Sequence, residues 1–179
     1  MPKIDLHLHT TFSDGSHSPA EVVHLAHVAG LTALAITDHD TVEGIPASLP
    51  AGNSLGIEII PGIELSSRFE GCETHILGYF FDWENVTLLD RLNQQQANRE
   101  QRNTRVVKNL NKLGLELSYE EVKNKAGAGS IGRPHIAEVL VEKGYVKTTK
   151  EAFHLYIAND KPASFPFESA DSSVAIMWI

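Results

Sequence analysis

The 179-residue chain holds one cysteine, Cys72, so no internal disulfide can form, and a reducing cytoplasm is the expected setting. Aromatic residues make up only 7% of it. No apolar run approaches the ~20 residues of a membrane-spanning helix, and the opening Met1-Pro2-Lys3-Ile4-Asp5-Leu6-His7 places charged groups where a secretory leader needs an apolar stretch. Basic residues are also scarce. Fifteen Lys and Arg stand against 23 Asp and Glu, a formal net charge of −8, which argues against duplex DNA as a partner while leaving room for one phosphate or a short single strand. The hydrophobic content of 42% is ordinary for a globular protein.

Histidine is over-supplied. There are nine, and His7, His9, His17, His24 and His27 all precede residue 30. Histidine is the commonest metal ligand, so each has to be weighed by position. Residues 3–8 alternate as a short strand. Ser18-Pro19-Ala20-Glu21 has the form of a capping box opening a helix that stops at Gly30. Residues 31–37 predict a second strand, 41–48 a short helix, 56–65 a third strand interrupted by Pro61-Gly62, and 75–81 a fourth. Alternating strands and helices imply an α/β fold with parallel pairing. Past Trp83 the pattern is helical, over 86–113, 118–125, 133–143 and 149–157, with a loop at 127–132. Residues 174–179 are apolar enough for a terminal strand. The expected organisation is a strand-bearing part over 1–84, a helical insertion or cap over 85–160, and the start of further barrel over 161–179.

His7 and His9 share a strand face with Asp5. Asp14 follows in a polar loop, His39 ends the second strand between Asp38 and Asp40, Glu64 ends the third, and His75 opens the fourth. Imidazoles and carboxylates delivered to one end of several strands suit Zn, Mn or Fe, and Mg less well. Six candidates exceed the four ligands of a structural zinc, which favours more than one ion. Paired ions clamp a phosphoryl group and activate water.

Asp5-Leu6-His7-Leu8-His9-Thr10, Phe12-Ser13-Asp14-Gly15, Thr37-Asp38-His39-Asp40 and Gly62-Ile63-Glu64 resemble the motifs of the polymerase and histidinol phosphatase (PHP) superfamily. Gly132-Arg133-Pro134-His135 and the helical insert are similar to its branch of small bacterial phosphoesterases, which hydrolyse nucleoside 3′,5′-bisphosphates and trim RNA from the 5′ end. The resemblance implies a distorted (β/α)7 TIM-like barrel holding up to three divalent ions. It implies that His7, His9 and Glu64 hold one, that Glu64 bridges to a second held by His75, and that Asp14 and His39 hold the third. It further implies substrate phosphate on Arg133 and His135, with Asp5, Asp38 and Asp40 orienting the ligands. The expected activity is hydrolysis of a nucleotide phosphate monoester, or trimming of short RNA, by metal-activated hydroxide. A phosphatase for a small metabolite such as histidinol phosphate and a non-catalytic metal- or nucleotide-binding remnant are the alternatives. Later Ala-His-Pro and Asp-x-His segments of the family are not found in these residues. The barrel is therefore expected to be incomplete at its C-terminal side, with fewer ions and with slow turnover or none.

The remaining titratable groups read more plainly. His17, His24, His27 and His154 fall on helix surfaces or in a loop. Cys72 has no nameable activating partner. Glu120 and Glu121 read as a solvated helix face. Arg99, Arg102, Arg105 and Lys108 recur every three residues. That stripe suits a solvated helix with acidic partners such as Glu100, or a surface that steers a nucleotide chain.

Overall fold

A computed structural model describes residues 3–127 and 129–179. Met1, Pro2 and Ala128, the last within the loop expected over 127–132, lie outside the described residues. The chain forms two compact units: one runs to Gln95 and takes up Ser169–Ile179, and the other is Gln96–Glu168.

The first unit is built on β1 (Lys3–Leu8), α1 (Pro19–Val28), β2 (Leu31–Ile36), α2 (Gly44–Leu55), β3 (Glu58–Phe69) and β4 (Cys72–Tyr79). The sheet order is β1-β2-β3-β4. β1, β2 and β3 are parallel, joined through helices. The Ser18 capping box is formed as the sequence predicts. The Tyr79 hydroxyl donates to the Leu6 carbonyl at 2.7 Å, and its ring packs on Ala33, Ala35 and Ile60. A β4 side chain thus reaches β1 across two intervening strands, so the sheet is curled, an open portion of a barrel with helices outside. Buried Val23, Ala26, Leu34 and Ile36 pack the α1 side, and Ile63, Leu65, Leu88 and Leu92 another.

Four details depart from the sequence expectation. First, β4 is antiparallel to β3 rather than parallel. Glu70 and Gly71 form the two-residue turn, with φ of 49° and 81°. Both central positions of such a hairpin require positive φ, and Glu-Gly is a weaker signal for it than Asn-Gly. Second, Pro61 does not interrupt β3. It is the last residue paired with β2, and its carbonyl accepts from the Phe80 amide at 3.0 Å; it returns no N–H bond, but it lies just outside the β3–β4 pairing, which begins at Gly62, so the loss falls at the end of the ladder. Third, β3 continues to Phe69, which leaves Glu64 inside the strand rather than at its end. Fourth, the expected terminal strand over 174–179 is absent. After the two-residue β5 (Ala170–Asp171), which pairs with β3, the chain turns into the short helix Ser172–Ile176. Asp171 caps it by accepting from the Ser173 amide at 2.9 Å, a local bond that overrides apolar content.

α3 (Val86–Lys112) gives Leu88 and Leu92 to the first unit's core, and Val106, Val107 and Leu110 to the second's. The second unit adds α4 (Tyr119–Ala126), α5 (Arg133–Glu142), α6 (Thr149–Ala152) and a π-helical turn over Phe153–Ile157. Its core is closed by Val122, Ile136, Leu140 and Ile157. Of the α3 stripe, Arg105 and Lys108 are exposed, but Arg99 and Arg102 depart from the reading as a solvated face. Arg99 and Arg102 are buried, each guanidinium 5.3 Å from the centre of the Phe167 ring. Among the described residues no helix is long and apolar enough to cross a membrane.

Candidate metal centre

The six candidate ligands converge in the first unit. His7 stands on β1 and His9 just beyond it. The loop after His9 returns sharply, because Gly15 donates its amide to the Thr10 carbonyl at 3.0 Å. A Cβ on Gly15 would meet the His9 carbonyl oxygen at 2.4 Å, so only glycine fits. This return brings Asp14 back, with its carboxylate 3.3 Å from His9 Nδ1 and 3.6 Å from His39 Nε2.

His39 lies beyond β2, where the chain keeps pairing with β3. The Glu64 amide donates to the Asp38 carbonyl at 3.2 Å, and the Asp40 amide donates to the Glu64 carbonyl at 3.1 Å. His39 is thus registered beside Glu64. Asp40 holds the bend at φ 52°, and its Oδ1 accepts from the Ser66 amide at 2.8 Å. Asp38, buried, accepts from the Thr10 amide, the Thr10 hydroxyl and the Ser13 hydroxyl at 2.6–2.7 Å. It ties the Asp14 loop to the end of β2. Asp5 is exposed and accepts from the His7 amide.

Glu64 is the hub. Its Oε2 is 2.8 Å from His7 Nε2 and 2.9 Å from His9 Nε2, and its Oε1 is 2.8 Å from His75 Nδ1. His9, His39 and His75 follow one another with ring centres 4.7 and 4.8 Å apart. Burial pushes the Glu64 carboxyl upward, but hydrogen bonds with His75 and His9, the charge of His39 and the bond with His7 outweigh it, leaving the group well below the usual carboxylate range. Burial pulls His9 down, and its bond to Glu64 with the charges of Asp14, Glu64 and Asp38 lifts it above the ordinary histidine value.

The donors fall into three overlapping groups: His7, His9 and Glu64; His9, Asp14 and His39; and His39, Glu64 and His75, each with its ligand atoms within 4.8 Å of one another. Two donors on one ion at about 2.1 Å lie at most about 4.2 Å apart, so small side-chain shifts close any of these groups on a divalent cation. A mixed imidazole and carboxylate set of this kind fits divalent metal.

Sequence reasoning passed over Glu73, 3.8 Å from His75 Nε2. The two share a face of β4, but the expected strand began at His75. Arg133 and His135 lie in the second unit, at the start of α5. Arg133 donates to Asn159 Oδ1 at 2.9 Å and lies 5.8 Å from the Phe153 ring centre. His135 is buried, and its Nδ1 accepts from the Gly132 amide at 3.0 Å, so this ring caps its own helix. His17, His24, His27 and His154 are exposed, as is Cys72.

Comparison with known proteins gives a consistent set of relatives. A 5′-3′ exoribonuclease of Haemophilus influenzae is 40% identical over 99% of this chain and 64% of its own length. A 3′,5′-nucleoside bisphosphate phosphatase of Chromobacterium violaceum is 29% identical over 100% of this chain and 63% of its own. Among solved structures, an amidohydrolase from Chromobacterium violaceum with bound sulfate superposes at a TM-score of 0.92 and 29% identity, covering 98% of this chain and 62% of that one. The chain thus spans a little under two thirds of the relatives it matches. The PHP domain model matches residues 5–162, which include all six candidate ligands, and the chain belongs to the PHP domain family.

Proposed function

We propose that this chain carries the metal-binding part of a phosphoesterase that removes a phosphate monoester from a nucleotide, such as a nucleoside 3′,5′-bisphosphate, or trims short RNA from its 5′ end. The observation that carries the reading is Glu64, whose two oxygens reach histidines on both sides and so serve two of the three donor groups. The names of the two relatives support the substrate class.

His7, His9, Asp14, His39, Glu64 and His75 would hold the ions. Bound there, divalent ions supply Lewis acidity and water activated near neutral pH. The chain's own groups do the rest. Asp38 fixes the loop that presents Asp14, Asp40 fixes the backbone around His39, and Asp5 steadies the backbone at His7. Arg133 offers a planar fork to substrate phosphate, at a helix start whose orientation also favours an anion, and His135 assists by holding that helix start. The single exposed thiol, Cys72, suits a cytoplasmic setting.

The test is phosphate or mononucleotide release from a nucleoside 3′,5′-bisphosphate, histidinol phosphate and a short 5′-phosphorylated RNA, with Mn2+ and with chelator. The reading expects metal-dependent release from the nucleotide substrates, lost in His9→Ala. Release that persists in chelator or in His9→Ala, or release from histidinol phosphate alone, would contradict it.

A further inference from the structure

The second unit holds a pocket that the metal centre does not explain. It has a volume of about 130 Å3 and is lined by Asn98, Gln101, Arg102 and Arg105 of α3 and by Phe165 and Glu168 of the segment before β5. This is well above the volume that holds one water. Three of the chain's six arginines fall between residues 99 and 105, in a protein of net charge −8. Such local concentration of the scarcer sign is what an anion site needs.

The pocket is braced. Arg102, 6% exposed, donates from Nε to the Phe165 carbonyl at 3.1 Å, and Asn98 donates to the Glu168 carbonyl at 2.8 Å. Two α3 side chains therefore hold the backbone that presents Phe165 and Glu168. Phe165 remains 38% exposed, and the guanidinium of the exposed Arg105 lies 6.0 Å from its ring centre.

The mixture of groups narrows the ligand. Arginines alone would suit any phosphate, but a carboxylate in the same pocket opposes a bare anion. A ligand that satisfies both carries phosphate and, separately, hydrogen-bond donors. An open aromatic ring beside a guanidinium adds a surface for stacking a flat ring. A nucleotide whose base bears an exocyclic amino group meets all three: phosphate toward Arg102 and Arg105, base face toward Phe165, amino group toward Glu168.

We propose that this pocket binds one nucleotide of a single-stranded RNA and prefers an amino-bearing base, cytosine over uracil. The proposal rests on the nucleotide reading above and extends it from a terminal phosphate to the body of a strand. Its test is a fluorescence-anisotropy titration of the full 179-residue chain, in chelator to prevent hydrolysis, with labelled hexacytidylate and hexauridylate. The cytidine strand is expected to bind several-fold more tightly. Glu168→Ala, whose backbone carbonyl contact is untouched, should erase that difference. Arg105→Ala should weaken both strands by about tenfold and lower the salt slope by about one. Phe165→Ala should weaken both, with circular dichroism confirming the fold of each variant. Equal affinity for the two strands in the wild type, or binding unchanged in Arg105→Ala and Phe165→Ala, would overturn the proposal. Failure of the phosphoesterase reading is separable: it shows as no metal-dependent phosphate release while the strand preference persists.

Discussion

Glu64 and His75 are joined diagonally across the β3–β4 hairpin. His75 is paired with Ser66, while Glu64 is paired with Leu77, yet Glu64 Oε1 and His75 Nδ1 are 2.8 Å apart. Residues two apart share a strand face, and diagonal neighbours come within reach of long side chains. The antiparallel register thus brings a β4 histidine onto the carboxylate that two β1-side histidines already share. A one-residue slip would turn His75 to the opposite face.

The Asp14 loop depends on a buried carboxylate. Asp38→Ala removes the acceptor for three short hydrogen bonds and strands the buried Thr10 and Ser13 donors. The expected cost is about 3 kcal/mol in urea unfolding, with Asp38→Asn milder. Metal affinity should fall in both variants, because Asp14 is presented by the same loop. Gly44→Ala attacks the same carboxylate from the other side: the added Cβ would lie 2.4 Å from Asp38 Oδ2, and about 1–3 kcal/mol of destabilisation is expected.

Arg133→Ala should raise KM or lower kcat/KM toward a phosphorylated substrate by one to two powers of ten, since a charged contact to phosphate is worth about 1.5–3 kcal/mol. Metal content should stay at the wild-type value. Steady-state kinetics with parallel metal analysis checks this, and wild-type kinetics in the variant would count against a phosphate contact.

The convergence of the six candidate ligands was legible because its signal is chemical. Histidine and acid at alternating or strand-end positions needs no tertiary information, and both Ser-x-x-Glu caps, at Ser18 and Ser118, formed where the residues indicate. What stayed hidden depends on partners distant in sequence. The antiparallel return of β4 rests on an inconspicuous Glu-Gly turn. Pro61 is tolerated because of which neighbour it meets. Arg99 and Arg102 of α3 are buried against Phe167, more than sixty residues on, which no periodicity reveals.

Glu121 gives a pH test of the second unit. Its bond with Lys143 at 2.7 Å, then those with the Ser118 backbone and side chain, bring its carboxyl down to about 2. A group depressed in the folded state adds stability above its unfolded value, about 4.5, and loses that stability as pH falls toward 2. Glu121→Gln should therefore lower Tm at pH 7, and the gap from wild type should close between pH 4.5 and 2. Thermal melts across that window check it; a gap independent of pH would contradict the assignment.

The most direct test of the central claim is the number of divalent ions bound per folded chain in wild type and in Glu64→Gln, read by Mn2+ titration calorimetry. Glu64 serves two of the three donor groups, while His9, Asp14 and His39 form the third without it. The account predicts that Glu64→Gln abolishes or severely weakens every site that uses Glu64 and spares binding at His9, Asp14 and His39. Unchanged stoichiometry and affinity in a folded Glu64→Gln protein would contradict it.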